Sequence, residues 1–201
     1  MTHMHVAGSI HADATSPAPL WLTRPDDVNA LTAALWSRNA GRNPAGELEI
    51  AGRTAASIVD EVGSPVYVID EDDFRARARE WRDAFEGWDV FYAGKSFLCT
   101  TVARWIAEEG LGLDVCSGGE LAVALRGGVD AATIGMHGNN KSLDELRTGL
   151  RAGVGRIIVD SSNEIGRLEQ LCAELGTVAD VLIRVTTGVE AHTHEYIATA
   201  H

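Results

Sequence analysis

The chain has 201 residues, 45% hydrophobic and 23% charged, which suffices for one core without disulfide or metal staples. Its net charge of −12 excludes a broad nucleic-acid or anionic-membrane surface, each of which needs a basic face. No apolar run reaches the roughly 18 residues of a membrane span, the start lacks a signal-peptide pattern, and the dispersed cysteines Cys99, Cys116 and Cys172 fit a reduced, cytoplasmic protein without metal-ligand pairs.

In chain order, His3, His5 and His11 sit among small polar residues and read as a solvated tail rather than a metal cluster. Residues 1–50, with Pro17, Pro19, Pro25 and Pro44, read as an irregular arm, and the apolar stretch from Val28 to Trp36 suggests one helix in it. Residues 51–201 read as the second part. It opens with a short helix to about Gly63 and a β-rich strand from Pro65 to Asp70. Phe74, Ala78, Trp81 and Phe85 recur at helical spacing. Strands follow at Val90–Ala93, Gly112–Val115, Thr133–Met136, Arg156–Val159 and Val181–Val185. Helices lie between them at Leu98–Glu109, Gly119–Arg126, Ser142–Arg151 and Ser162–Leu175. Ser142 with Glu145, and Ser161 with Glu164, have capping-box spacing.

The strand starts, at 91, 112, 133, 156 and 181, repeat every 21 to 25 residues. Such short units suit a (β/α)8 barrel, which averages about 250 residues over eight units. The rival is a doubly wound open sheet, which commonly carries G-x-G-x-x-G after its first strand; here Gly94-Lys95-Ser96-Phe97 stands in that place. The expected class is therefore an α/β barrel, of which about five βα units fit before His201. Because five strands cannot close a barrel, the sequence is expected to be the front part of a longer one.

Functional side chains in such barrels project from the C-terminal strand ends. Those positions hold Lys95, Asp114, His137 with Asn139, Asp160 and Arg184. Lys95 is either an ordinary strand-end lysine or an amine desolvated by a barrel interior and able to form a Schiff base. Asp114, inside a short apolar strand, needs a partner: a lysine or cofactor, or backbone amides. Gly118-Gly119 either cradles an anion or lets strand and helix pack closely. Cys116 reads as a buried small hydrophobe rather than a nucleophile. Arg184 faces the barrel mouth or a carboxylate. His192 and His194 beside Glu195 lack an evident third metal ligand and read as a loop.

Four blocks of the sequence resemble the diaminopimelate decarboxylase family, particularly its actinobacterial form. They are Phe91-Tyr92-Ala93-Gly94-Lys95, Leu113 to Leu121 (Leu-Asp-Val-Cys-Ser-Gly-Gly-Glu-Leu), His137-Gly138-Asn139-Asn140-Lys141-Ser142, and Val189 to Ile197 (Val-Glu-Ala-His-Thr-His-Glu-Tyr-Ile). The resemblance runs from about Pro65 to His201. It implies a fold-type III pyridoxal-phosphate enzyme: an alanine racemase-like barrel, a C-terminal β domain that these residues do not include, and a homodimer with shared active sites. Lys95 would hold the cofactor by a Schiff base, and Ala93, Asp114, Glu120 and Arg184 would line the cofactor side. The implied reaction converts meso-diaminopimelate to L-lysine and carbon dioxide. The family's later motifs, including its phosphate loop and ring-nitrogen glutamate, are not among these 201 residues, so this portion alone is expected to be inactive. The competing expectations are another decarboxylase of the same fold type, acting on ornithine or arginine, an alanine racemase relative, or a non-catalytic pyridoxal-phosphate-binding homologue.

Overall fold

The computed structural model describes residues 26–27 and 29–185. Over residues 40–54 the chain pairs with itself, where an irregular arm is expected from sequence. Strands β1 (Ala40–Arg42), β2 (Leu48–Ile50) and β3 (Arg53–Thr54) form an antiparallel sheet in chain order. Asn43 Oδ1 closes the first turn by accepting from the N–H groups of Ala45 and Glu47, each at 3.0 Å. Ala51 and Gly52 make the second with φ of 48° and 77°, a backbone whose twist matches that of paired strands. Strands this short carry too little alternation to be read from sequence.

The helix expected between Val28 and Trp36 is absent over its described residues, and residues 33–36 make turns. Helix α1 (Ala55–Val62) follows, capped by the Thr54 side chain, which accepts from the Ser57 N–H. The chain divides into two compact units, Met1–Val66 and Tyr67–His201. The break lies beyond the expected one at residue 50 because α1 packs on β2 and β3. The expected strand at Pro65–Asp70 is not formed: Pro65 lies in a bend, and the segment joins no sheet among the described residues.

In the second unit, helix α2 (Glu71–Ala84) starts at Asp70, whose side chain accepts from the Asp73 N–H. Glu71, Asp72 and Asp73 in its first turn complement the helix dipole. The alternating elements then run β4 (Phe91–Ala93), α3 (Thr100–Glu108), β5 (Gly112–Val115), α4 (Gly118–Arg126), β6 (Ile134–Met136), α5 (Leu143–Ala152), β7 (Arg156–Val159), α6 (Ser162–Leu175) and β8 (Val181–Ile183). The five strands are all parallel and lie side by side in chain order, β4-β5-β6-β7-β8. That order has no reversal, and so none of the switch points of a doubly wound sheet.

Alternation along the strands separates two faces. Leu113, Val115, Ile134, Met136, Ile157 and Val159 are each at most 2% exposed and form one core with Val102, Ile106, Leu121, Leu146 and Leu171 of the helices. Helix α2 is fastened to the end of α3 by charge. The Glu109 carboxylate accepts from Arg75 and Arg79, both at 2.9 Å, and its carbonyl accepts from Arg82. The Arg75 contact, above all, holds the Glu109 carboxyl below the ordinary range.

Carboxylates in the first turns of the helices fix the loops that precede them. Ser142 and Glu145 complete the expected capping box, and Glu145 also accepts from the Gly118 N–H at 2.7 Å. The pair Ser161 and Glu164 makes only half of one. Ser161 accepts from the Glu164 N–H, but the Glu164 carboxylate reaches past the cap to the Asp160 N–H at 2.9 Å. Its other oxygen lies 2.7 Å from Lys141 Nζ, with side-chain exposures of 7% and 1%. Lys141 also donates to the carbonyls of Gly138 (2.6 Å) and Ile158 (2.7 Å). The ammonium thus donates to two carbonyls and lies in ion-pair contact with the Glu164 carboxylate, whose Oε1 makes no hydrogen bond.

Two predictions follow from these contacts. Lys141→Met leaves the Glu164 carboxylate buried without its cation, and should destabilise the unit by about 3–5 kcal/mol, measured by urea unfolding. Hydrogen bonds from the Ser142 backbone first, then from the Gly118 backbone and the Ser142 hydroxyl, hold the Glu145 carboxyl below the ordinary range. Its stabilisation is therefore complete at neutral pH and is lost as the pH falls from about 5 through the depressed value. Glu145→Gln should flatten that acid limb of a stability–pH profile.

Candidate active site

The parallel strands present their C-terminal ends on one side of the sheet, staggered by the register. Ala93 pairs across to Asp114, Asp114 to Gly135, and Gly135 to Arg156. At this end a cleft of about 270 Å³ is lined by Ala93, Lys95, Asp114, Cys116, His137, Gly138, Asn139 and Arg184. Lys95, Asp114, His137 with Asn139, and Arg184, all expected from their strand-end positions, thus converge on one space.

Lys95 follows β4 in a short 3-10 turn, Gly94–Ser96. The turn is pinned from both sides. Tyr92 donates its hydroxyl to the Phe97 carbonyl at 2.8 Å, and a Cβ on Gly94 would come within 2.8 Å of the Asp114 carbonyl oxygen, so only glycine lets the turn press against β5. The Lys95 side chain is exposed. Of its two sequence readings, this exposure is that of a strand-end lysine reaching solvent.

Asp114 is the charged centre. Its Oδ2 lies 3.1 Å from His137 Nε2, while its Oδ1 occupies space that a side chain at Gly135 would fill: a Cβ there would sit 2.4 Å from that oxygen. Burial pushes the Asp114 carboxyl above its ordinary range, opposed first by the charge of His137 and its hydrogen bond, then by Arg156 and Lys95. Arg156 stands at the opposite end of its strand, over the Phe91 ring at 4.7 Å and 3.1 Å from Asp89.

Arg184 has the carboxylate partner that was one of its two expectations. It lines the cleft, and its Nε lies 3.0 Å from Asp160 Oδ1. Burial, with the nearby charge of Glu120, pushes the Cys116 thiol up, which leaves it unactivated. Glu120, expected on the cofactor side, is not in the lining of this cleft. Its Oε2 accepts from the Cys116 N–H at 2.6 Å, and its own N–H donates to Ser117. Ser117-x-x-Glu120 is capping-box spacing, a signal the sequence carries and the reading passed over. Gly118 meets the side chain of Glu145, so this glycine serves close packing. His192, His194 and Glu195 lie outside the described residues, as do His3, His5 and His11.

Two residues behind the site, Gly135 and Lys141, were missed. The available signal was composition: only two of the seventeen basic residues are lysines, Lys95 and Lys141. Where arginine is otherwise used throughout, a lysine marks a place for a compact point charge with three rotatable donors.

Comparison with known proteins adds the family. The profile described as "Pyridoxal-dependent decarboxylase, pyridoxal binding domain" matches residues 71–201. Diaminopimelate decarboxylase of Mycobacterium leprae is 52% identical over 202 residues, covering 99% of this chain and 43% of the relative. That of Mycobacterium tuberculosis is 55% identical over 172 residues, covering 85% and 38%. Among solved structures, diaminopimelate decarboxylase from M. jannaschii in complex with L-lysine superposes with a TM-score of 0.72 at 30% identity, over 80% of this chain and 39% of that one. The chain thus spans about two fifths of the length of the curated relatives it matches. It belongs to the pyridoxal-dependent decarboxylases and carries the pyridoxal-binding domain of that family.

Proposed function

We propose that the full-length protein removes carbon dioxide from meso-diaminopimelate and releases L-lysine, using pyridoxal phosphate held in the cleft at the strand ends. The reading rests on one observation above others: Lys95, Asp114, His137 and Arg184 converge on a single cleft in a chain 52% identical to a diaminopimelate decarboxylase. The five-stranded sheet, parallel and in chain order, is taken as part of a (β/α)8 barrel, and the protein as a cytoplasmic homodimer. Among the described residues no helix is long and apolar enough to cross a membrane, and sedimentation of the full-length protein tests the dimer.

The residues present fit the cofactor chemically. A primary amine, Lys95, meets the need of an aldehyde, and the cations Lys95 and Arg184 suit an anionic ligand. The space left by Gly135 admits the Asp114 carboxylate. When bound, pyridoxal phosphate supplies that aldehyde and an electron sink for the bond that breaks.

The rest is work of the chain. Lys95 supplies the attaching amine from a turn fixed by Tyr92 and Gly94. Asp114, steadied by His137, places negative charge on the floor of the cleft. Arg184, steadied by Asp160, places positive charge at its rim. Ala93 keeps the wall beside Lys95 small. Glu120 acts from behind by fixing the Cys116 backbone.

Three experiments on the full-length protein bear on this. Borohydride reduction followed by peptide mass spectrometry should find pyridoxal phosphate on Lys95 and lose it in Lys95→Ala; label on Lys141 instead would refute the assignment. Gly135→Ala should move the Asp114 carboxylate and weaken cofactor affinity at least tenfold in an absorbance titration. In a substrate panel, meso-diaminopimelate should be turned over faster than ornithine or arginine, and the reverse order would reassign the substrate.

A further inference from the structure

Lys141 and Glu164 stand behind the cleft and do not line it. Lys141 Nζ holds the Gly138 carbonyl, and Gly138 lies between His137 and Asn139, which both face the cleft. The same nitrogen holds the carbonyl of Ile158, on β7. Glu164 pairs with Lys141 through one oxygen and takes the Asp160 N–H with the other. Asp160 in turn pairs with Arg184. A continuous polar chain therefore runs from the His137–Asn139 loop to the guanidinium at the cleft's rim.

Stability alone does not account for it. A buried ion pair exchanged for apolar residues of similar volume is often neutral or stabilising. What apolar packing cannot reproduce is direction: one ammonium donates to a carbonyl of the His137–Asn139 loop and to one of β7 while pairing with a carboxylate. Gly138 takes a φ of +115°, a conformation that favours glycine, and its carbonyl meets Lys141.

We infer that Lys141 and Glu164 are positioning residues, which set His137 and Asn139 on one side of the cleft and, through Asp160, Arg184 on the other. This rests on the reading of the cleft as the pyridoxal-phosphate site. The two residues touch neither cofactor nor substrate.

The test uses the full-length protein and two variants, the double substitution Lys141→Met with Glu164→Leu, and Glu164→Gln alone. The double variant loses both charges together, so although it frees the Asp160 N–H and two carbonyls it should melt well above Lys141→Met alone. Its affinity for pyridoxal phosphate, titrated by absorbance into cofactor-free protein, should nevertheless fall at least tenfold. Amide hydrogen exchange at residues 137–139 and 160 of the cofactor-free protein should rise at least tenfold. Glu164→Gln keeps an oxygen for the Asp160 N–H and should lose less on both measures.

A double variant that binds cofactor within twofold of the parent and exchanges at the parental rate overturns the inference. Should the double variant fail to fold, parental binding and exchange in Glu164→Gln overturn it equally. A parent that does not bind pyridoxal phosphate would instead refute the proposed function, and the exchange comparison would still decide the inference.

Discussion

Backbone amides at the end of a parallel sheet have no strand to bond to, and a buried amide left unpaired costs about as much as a lost hydrogen bond. This unit meets the constraint with one device. Glutamates in helix first turns turn back to the residue that follows a strand, Glu120 to the Cys116 N–H and Glu164 to that of Asp160, while Glu145 ties two helix starts together through Gly118 and Ser142. The helices are thereby tied to the loops whose side chains make the cleft, so the chemistry rests on the same bonds that cap the helices.

The cleft's electrostatics follow from that frame. Carboxylates at Asp114 and Asp160 each have a cationic or imidazole partner, Asp114 with His137 and Asp160 with Arg184. Lys95 is the cleft's amine, on a turn the backbone cannot easily relax. Asp114 is the most constrained of the set, since burial disfavours its charge while the site offers it a fitted space opposite Gly135. A group in that position responds strongly to anything that changes the charge beside it.

Much of this was legible in the sequence. From Phe74 onward, helix periodicity, glycine stops and serine caps placed each helix and strand to within a few residues, because in these repeats local propensity and tertiary burial agree. The strand-end rule then picked out Lys95, Asp114, His137 and Arg184 from position alone. The errors lie where tertiary pairing decides. The strands of β1–β3 are too short to show a period, and Pro65–Asp70 has β-type residues but joins no sheet among the described residues. Glu120, which the resemblance places on the cofactor side, bonds to the Cys116 and Ser117 loop, and its spacing from Ser117 already described a cap. The exposure of Lys95 and the burial of Lys141 are matters of which face of a loop is covered, and no spacing in the sequence encodes that.

The scarcity of lysine has a practical side. The chain holds its basic charge almost wholly as arginine, and one of its two lysines is sealed at 1% side-chain exposure between a carboxylate and two carbonyls. To an acylating dye at neutral pH, the described surface offers a single side-chain address, at the lip of the cleft. Within these residues a reporter can thus be attached beside the site through the one exposed lysine, with no engineered handle.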